Sequence, residues 1–173
     1  MKKRSAAIIA AVLLILAAAI GVLVWINGQE NAGSSVERGN LAVTKDGETL
    51  AVFTLEDLKA MEAVEVEKTI TSASEDDVTG VFRGPSVQTV IDAADSTALD
   101  GAAQVLARSE DGFVMGFSVD EVRQGDNIFI ACSQDGEDLK SMDEGGAGPL
   151  RIVVQADSFG NRSAKYLCEL EVE

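Results

Sequence analysis

The stretch that decides the fold lies near the end of the chain, where residues 148–154 read Gly-Pro-Leu-Arg-Ile-Val-Val and residues 159–166 read Phe-Gly-Asn-Arg-Ser-Ala-Lys-Tyr. The run from Leu150 to Val154 is almost continuously apolar, which is typical of a central strand covered on both faces. The segment from Lys165 to Glu173 alternates instead and predicts a half-exposed strand. Its apolar face consists of Tyr166, Cys168, Leu170 and Val172. The C-terminal part of the chain is therefore predicted to be sheet.

Further upstream the sequence also favours strands, which arrive mostly as hairpins. Leu41 to Phe53 predicts a hairpin that turns at Asp46-Gly47, and Ala103 to Phe117 predicts a second one around Glu110-Asp111-Gly112. Val64 to Ser72 alternates cleanly and predicts a strand, and Ile128 to Cys132 is another buried apolar run.

Three short helices are predicted from their start signals. Capping boxes open at Thr54 and Ser118, and Ser86 caps an apolar-faced helix from Val87 to Ala94, with Gly84-Pro85 as its entry. Because strands outnumber helices and no internal repeat is visible, the predicted class is α+β with a mixed, largely antiparallel sheet.

The N-terminus predicts a membrane anchor. Residues 6–26 are a run of 21 apolar residues, which as a helix would span about 31 Å, the thickness of a bilayer core. Lys2, Lys3 and Arg4 precede this run and predict a cytoplasmic N-terminus, residues 1–5. A cleaved signal peptide is the alternative, but the run exceeds the usual apolar core of about 7–15 residues. Residues 27–40 predict a flexible tether and residues 41–173 an extracytoplasmic domain of a single-pass cell-membrane protein.

Charge and composition exclude several classes of function. The chain has 14 basic and 29 acidic residues and no histidine. Removing Lys2, Lys3 and Arg4 leaves 11 basic against 29 acidic residues, a net charge of −18. Such a surface repels phosphate backbones, so nucleic acid is excluded as a partner. Without histidine, the chain has no Ser-His-Asp or Cys-His nucleophile and no imidazole ligand for zinc.

Other residues with chemical potential have structural interpretations. Cys132 and Cys168 lie in β-like apolar runs, so they are either buried free thiols or, outside the cytoplasm, a disulfide pair. Residues 75–77 are Glu-Asp-Asp without the alternating order of a calcium loop, which favours a solvated loop. Three further aspartates, Asp111, Asp126 and Asp135, flank Gly or Asn as turn residues do.

The order of several short motifs resembles the molybdopterin-binding domain of the sulfite oxidase family over residues 41–173. The motifs are Phe53-Thr-Leu-Glu-Asp-Leu-Lys59, Val64-Glu-Val66, Thr69-Ile-Thr-Ser72, Gly80-Val-Phe-Arg-Gly84, Val90-Ile91, Ser109-Glu-Asp-Gly-Phe113, Asp135-Gly-Glu137, Gly148-Pro-Leu-Arg-Ile-Val-Val154, Phe159-Gly-Asn-Arg-Ser-Ala-Lys-Tyr166 and Glu169-Leu-Glu-Val172. The resemblance implies a mixed α+β fold that wraps a phosphate-bearing pyranopterin and presents molybdenum to a small substrate.

The resemblance also implies a set of site residues. Ser72 stands where the family has the cysteine that ligates molybdenum, and a serine hydroxyl is a poor substitute for a thiolate. Arg162, Ser163 and Lys165 match the segment that contacts the pterin phosphate, and Arg151 matches the arginine of the Pro-Leu-Arg strand. The alternative for Arg162 and Lys165 is pairing with some of the many carboxylates.

These observations leave three functional hypotheses. The leading one is a non-catalytic binding or accessory module for a small anionic ligand or for an envelope or membrane protein, with molybdopterin as a cofactor by resemblance and without molybdenum. The second is a molybdopterin-dependent oxidoreductase of the sulfite oxidase family. The third is an exported domain with a purely structural role, since a fold alone does not fix a function.

Overall fold

The computed structural model describes residues 37–71, 77–157 and 159–173, and these described residues form one compact unit. The predicted anchor at residues 6–26, Ser72, and the first two residues of the acidic loop lie outside the described residues. Within the described ranges, no helix is long and apolar enough to span a membrane.

Eleven strands and three short α-helices are found in the described residues. The strands are β1 Leu41–Lys45, β2 Glu48–Phe53, β3 Ala63–Ile70, β4 Val78–Pro85, β5 Gln104–Ser109, β6 Val114–Ser118, β7 Ile128–Ala131, β8 Ser133–Gln134, β9 Glu137–Asp138, β10 Arg151–Val154 and β11 Leu167–Val172. The helices are α1 Leu55–Ala60, α2 Val87–Ala94 and α3 Val119–Val122.

The largest sheet has five strands in the order β2-β1-β11-β5-β6. Strands β1 and β11 pair in parallel, with Val43 opposite Leu170, whereas the other neighbours in this sheet are antiparallel. The sheet is thus mixed and largely antiparallel, as the sequence predicts.

Two smaller sheets, β3-β4-β8-β9 and β10-β7, lie against each other at the end of β4. Cys132 donates its backbone N–H to Arg83 O at 2.9 Å. A Cβ atom placed on Gly84 would lie 1.9 Å from Ile130 O. Only glycine permits this approach, because a real Cβ atom cannot come so close to a carbonyl oxygen.

Strands β7 and β10 are buried on both faces because they separate two hydrophobic clusters. Ile128, Ile130 and Ile152 face the larger cluster, which includes α2 and the five-stranded sheet. Phe129 and Val153 face the smaller cluster beneath β3 and β4. This position explains the two continuous apolar runs of the sequence.

The helix starts follow the predicted caps. Thr54 and Asp57 form a capping box at α1, Ser118 and Glu121 form one at α3, and Ser86 caps α2 through the Thr89 N–H. Side-chain oxygens in these places satisfy backbone N–H groups that a helix leaves without partners.

Two details differ from the sequence predictions. Val78–Pro85 is a full strand that pairs with all of β3, so Gly84-Pro85 ends a strand before Ser86 begins the helix. Two glycines lower the strand propensity of this segment, but the long ladder with β3 outweighs it. The last strand begins at Leu167, not Lys165, because Tyr166 has a left-handed φ of 56°.

Candidate functional site

A cleft of about 570 Å³ lies between the β8–β9 hairpin, the loop that leads to β10, and the segment before β11. We call it the Arg151 cleft. Its cationic lining residues are Lys140, Arg151 and Lys165, and its acidic ones are Asp135, Glu137 and Asp138. Tyr166 and the backbone of Gly145, Gly146 and Ala147 complete much of the wall.

Arg151 is the most buried cation of this cleft, with 5% of its surface exposed. It is the first residue of β10, and its Nε donates to Ser163 Oγ at 3.1 Å. Ser163 Oγ in turn donates to Ile152 O at 2.6 Å. Ser163 therefore orients the guanidinium while the strand fixes its backbone.

Lys165 and Tyr166 approach the cleft from the segment before β11. The left-handed backbone of Tyr166 is uncommon for a residue with a bulky side chain. Its hydroxyl donates to Gly146 O at 2.9 Å, which ties this segment to the opposite wall. Such strained positions persist where the surrounding structure holds them and are frequent at binding sites.

The opposite wall is a close-packed glycine loop. A Cβ atom on Gly146 would lie 2.1 Å from Lys140 O, and one on Gly148 would lie 2.4 Å from Leu139 Cβ. The N–H groups of Gly146 and Gly148 donate to Ser141 O and Lys140 O at 2.9 and 2.8 Å. The glycines thus let the loop fold tightly beside Lys140.

Two of the three carboxylates in the cleft are engaged by other groups. Asp138 pairs with Lys59 Nζ at 2.5 Å. Asp135 has a left-handed φ of 53° in the β8–β9 turn, and its Oδ1 accepts the Val81 N–H at 2.9 Å. These contacts reduce the repulsion that an anion would meet near Arg151.

Arg162 makes a separate ionic cluster. Its Nε and Nη2 donate to Asp157 at 2.7 and 2.6 Å, and its Nη1 donates to Glu121 at 2.7 Å. The guanidinium also lies 5.5 Å from the centre of the Phe117 ring. The hydrogen bonds that Arg162 donates to Asp157 and Glu121 raise the pKa of Arg162, and the bond that Glu121 accepts from Arg162 lowers the pKa of Glu121.

The structure therefore brings together three of the five predicted site residues. Arg151 and Lys165 line the cleft, and Ser163 binds Arg151. Arg162 is held by two carboxylates and does not line the Arg151 cleft, and Ser72 lies outside the described residues.

Two lining residues, Lys140 and Tyr166, were not predicted as site residues. The signal for Lys140 was the glycine-rich segment 145–148 that follows it, because glycines allow close backbone approach. For Tyr166, the alternating pattern around it predicted strand and concealed its left-handed backbone.

Cys132 and Cys168 are both free thiols in the structure. Burial raises the pKa of the Cys132 thiol to about 11 and that of Cys168 to about 11. Their Sγ atoms contact Ile130 O at 3.6 Å and Arg108 O at 3.4 Å. Of the two possibilities that the sequence leaves open, the structure has the free thiols.

Comparison with known proteins identifies the family. The sequence profile of the oxidoreductase molybdopterin-binding domain matches residues 32–173. The chain belongs to this family. Among solved structures it is similar to the sulfane dehydrogenase SoxCD from Paracoccus pantotrophus, with a TM-score of 0.61 and 16% sequence identity. The match covers 80% of this chain and 39% of the SoxCD chain, so the likeness concerns the fold alone. No curated protein sequence matches the chain.

The residues of this family member suit one end of a molybdopterin better than the other. Buried Arg151, with Lys140 and Lys165 nearby, fits a phosphate group. Neither of the two cysteines, Cys132 and Cys168, lines the Arg151 cleft, and Cys132 is buried in the larger hydrophobic cluster. Among the described residues, no cluster of three or more acidic or cysteine side chains could hold a metal. The described lining of the Arg151 cleft therefore contains groups suited to a phosphate and no thiol.

Proposed function

We propose that this chain is a membrane-anchored, extracytoplasmic binding module of the molybdopterin-binding domain family that takes a small anionic ligand and does not carry out molybdenum redox chemistry. The observation that supports it most is Arg151, which is 5% exposed, oriented by Ser163 at 3.1 Å, and part of a cleft with two lysines. A buried, oriented guanidinium suits an anion because its fixed fork matches planar or tetrahedral oxyanions.

The direct test is calorimetric titration of the full-length chain in a non-ionic detergent. The probes are inorganic phosphate, sulfate and a pterin phosphate. We expect the pterin phosphate to bind most tightly, since it fills more of the cleft than a lone oxyanion. Binding of none of the three probes would contradict the proposal and favour the purely structural role.

Variants locate the site. Lys140→Gln/Lys165→Gln should weaken binding about 10-fold or more, because charge-assisted hydrogen bonds contribute about 1.5–3 kcal/mol each. Arg151→Gln should weaken it further. The matched control is Arg123→Gln, which removes a positive charge that pairs with Asp100 outside the cleft. Equal affinities of the control and the cleft variants would place the ligand elsewhere.

The second candidate is a molybdopterin-dependent oxidoreductase, favoured by the family to which the chain belongs. Metal analysis separates the two candidates when the protein is produced in cells that make the cofactor. We expect no stoichiometric molybdenum in the wild type. Ser72→Cys supplies the thiolate at the matched position, so cofactor retained only by this variant would support a lost ligand.

Near-equimolar molybdenum in the wild type, together with turnover of sulfite or a sulfoxide with an artificial electron carrier, would establish the oxidoreductase instead. Pterin without molybdenum would support the binding module, because the phosphate end of the site is then filled without the metal.

The proposed anchor is residues 6–26, with the domain outside the cytoplasm and an envelope or membrane protein as a further partner. Mass spectrometry of the membrane-extracted protein tests it. We expect an intact N-terminus, whereas a mature chain that begins after Trp25 would indicate a cleaved signal peptide.

A further inference from the structure

Strand β6 forms one edge of the five-stranded sheet, and among the described residues no further strand pairs with it. It reads Val-Met-Gly-Phe-Ser and carries no charge. Met115 and Phe117 pack toward the core, whereas Phe113 and Val114 at its beginning are 42% and 43% exposed. An uncharged, exposed strand edge is unusual, because it can pair with another chain.

The direction of the free backbone groups follows from the β5–β6 ladder. Ser109 N–H donates to Phe113 O, and Val119 N–H donates to Ala103 O, so odd-numbered residues from 113 to 119 face β5. Bonded and non-bonded pairs alternate in an antiparallel ladder. Val114 and Gly116 therefore direct their N–H and C=O groups toward the open edge. Ser118 follows the same alternation, because its N–H points away from β5 and donates to Glu121 Oε2 at 3.1 Å.

The edge of the four-stranded sheet at β3 is protected by charged side chains, and β2, the opposite edge of the five-stranded sheet, begins with the charged residue Glu48. Strand β3 carries Glu65, Glu67 and Lys68, and Lys68 Nζ donates to Gln155 O and Asp157 O at 2.9 and 2.6 Å. These charges and the bridging lysine block an incoming strand. Strand β6 has no charged residue and no lysine that bridges its open edge.

The charges at the two ends of β6 indicate what kind of strand would fit. Glu110 and Asp111 precede it and Asp120 follows it, and Asp111 and Asp120 are exposed. A second copy paired antiparallel at this edge would bring like charges together, which is unfavourable in a chain of net charge −15. The chain's own residues 27–36 contain Glu30 and no basic residue. Basic ends on the added strand are complementary.

We propose that the open edge of β6 docks an extended segment of a partner protein, with alternating apolar residues and Lys or Arg at both ends, as a sixth strand of the sheet. Backbone hydrogen bonds to Val114 and Gly116 provide affinity, and the terminal carboxylates select the partner. Gly116 leaves the surface above Leu106 open to a side chain of the added strand, since even a Cβ atom on Gly116 would lie 3.5 Å from Leu106 Cδ2. This surface is independent of the Arg151 cleft.

The test uses the full-length chain in a non-ionic detergent and a fluorescein-labelled peptide of sequence KKVTVTVKK. Fluorescence anisotropy measures affinity, and hydrogen exchange with mass spectrometry locates the contact. We expect slower exchange confined to β6 and its hairpin. The peptides EEVTVTVEE and KKVTPTVKK should bind at least about 10-fold more weakly, because one reverses the charges and the other removes a backbone donor.

Two variants of the chain test the geometry. Gly116→Pro removes an N–H that points to the open edge without removing a bond to β5, and should weaken binding about 5- to 10-fold. Asp111→Asn/Asp120→Asn should weaken binding and reduce its salt dependence while the fold is unchanged. The control is Glu56→Gln/Asp92→Asn, two exposed carboxylates on α1 and α2.

If Gly116→Pro fails to fold, the variant Asp111→Asn/Asp120→Asn still tests the proposal. Equal binding of the basic and acidic peptides, or protection at a surface other than β6, would overturn the proposal. A concentration-dependent dimer that protects β6 in the absence of peptide would also overturn it, since the occupant would then be a second copy.

Discussion

Arg162 is a case in which the neighbours of a residue determine what it does. Its sequence position matches the phosphate-contacting segment of the family, but its guanidinium is bound by Asp157 and Glu121. These side chains are 23–31% exposed, so the cluster is partly shielded from water. It joins the segment before β11 to the start of α3.

We expect Arg162→Gln to lower the free energy of unfolding by about 1–3 kcal/mol, because it removes charge-assisted hydrogen bonds and leaves two carboxylates close together. Urea denaturation measures the change. Arg123→Gln is the comparison, since its pair with Asp100 is exposed and should contribute less than about 1 kcal/mol. If Arg162→Gln loses less unfolding free energy than Arg123→Gln, the ionic cluster of Arg162 does not stabilise the fold in this way.

The same cluster predicts acid sensitivity. Hydrogen bonds, first from Arg162 and then from Ser118, hold the pKa of Glu121 below its ordinary value of 4.5. Because the folded-state pKa is depressed, this stabilisation is complete above about pH 4.5 and is lost as pH falls through the folded-state value. We expect the unfolding free energy of Arg162→Gln to depend less steeply on pH between about 5 and 3 than that of the wild type. Parallel pH profiles would show that Glu121 does not contribute in this way.

For single residues, the sequence predicts that a basic side chain pairs with acids, but it does not predict which acids those are. The sequence shows that basic residues are few and acids many, which suggests that Arg162 pairs, but not with which acids. Asp157 is five residues away and Glu121 is 41 away, and the second separation carries no local signal. Arg151 was assigned by resemblance, and its burial follows from the register of β10 with β7.

At the scale of the strands and helices, the tightest packing against a glycine is at Gly84 in β4. Its α-carbon faces the backbone of β7, where a Cβ atom would lie 1.9 Å from Ile130 O. A carbonyl in a paired strand cannot move aside as a flexible side chain can. The contact joins β4 to the strand that both hydrophobic clusters share.

Gly84→Ala should therefore destabilise the domain by about 2–4 kcal/mol through backbone displacement and strain in the core. Thermal unfolding followed by circular dichroism measures it. Gly116→Ala is the matched control, because its added methyl would meet only ordinary contacts at 3.5 Å. Similar melting temperatures of the two variants would show that the backbone of β7 can shift to accommodate the added methyl group at little cost in stability.

Most elements follow from local sequence signals. The hairpin at Asp46-Gly47 and the caps at Thr54, Ser86 and Ser118 are formed where the sequence predicts them. Strand β4 was missed because its stability comes from pairing along all of β3, a contact that its own glycine-containing sequence does not reveal. Local rules describe caps and turns better than ladders.

For the whole molecule, charge is the dominant feature. The net charge of −15 opposes compaction through long-range repulsion. We expect the melting temperature to rise by about 2–5 °C between about 0.02 and 0.2 M NaCl, because salt screens this repulsion. Scanning calorimetry at constant pH measures it. A melting temperature that falls with salt would mean that specific ion pairs outweigh the repulsion.

The overall class was predictable from strand content, but the sheet order was not. The parallel pairing of β1 with β11 joins residues such as Thr44 and Glu169, which are 125 positions apart and hydrogen-bonded at 2.8 Å. Neither strand contains a signal for the other. The Arg151 cleft is equally hard to predict, since its lining residues come from three separate regions of the sequence: residue 78, residues 134–151 and residues 165–166.

The parallel β1–β11 pairing also affects how the chain folds during its synthesis. Strand β11 lies between β1 and β5, so the hairpin of β1 and β2 and the hairpin of β5 and β6 are joined only when β11 is inserted. As the chain emerges from the ribosome, β1 appears early and its partner β11 appears last among these strands. During that interval one side of β1 has no native neighbour, and a chaperone that recognises extended apolar segments has its target there.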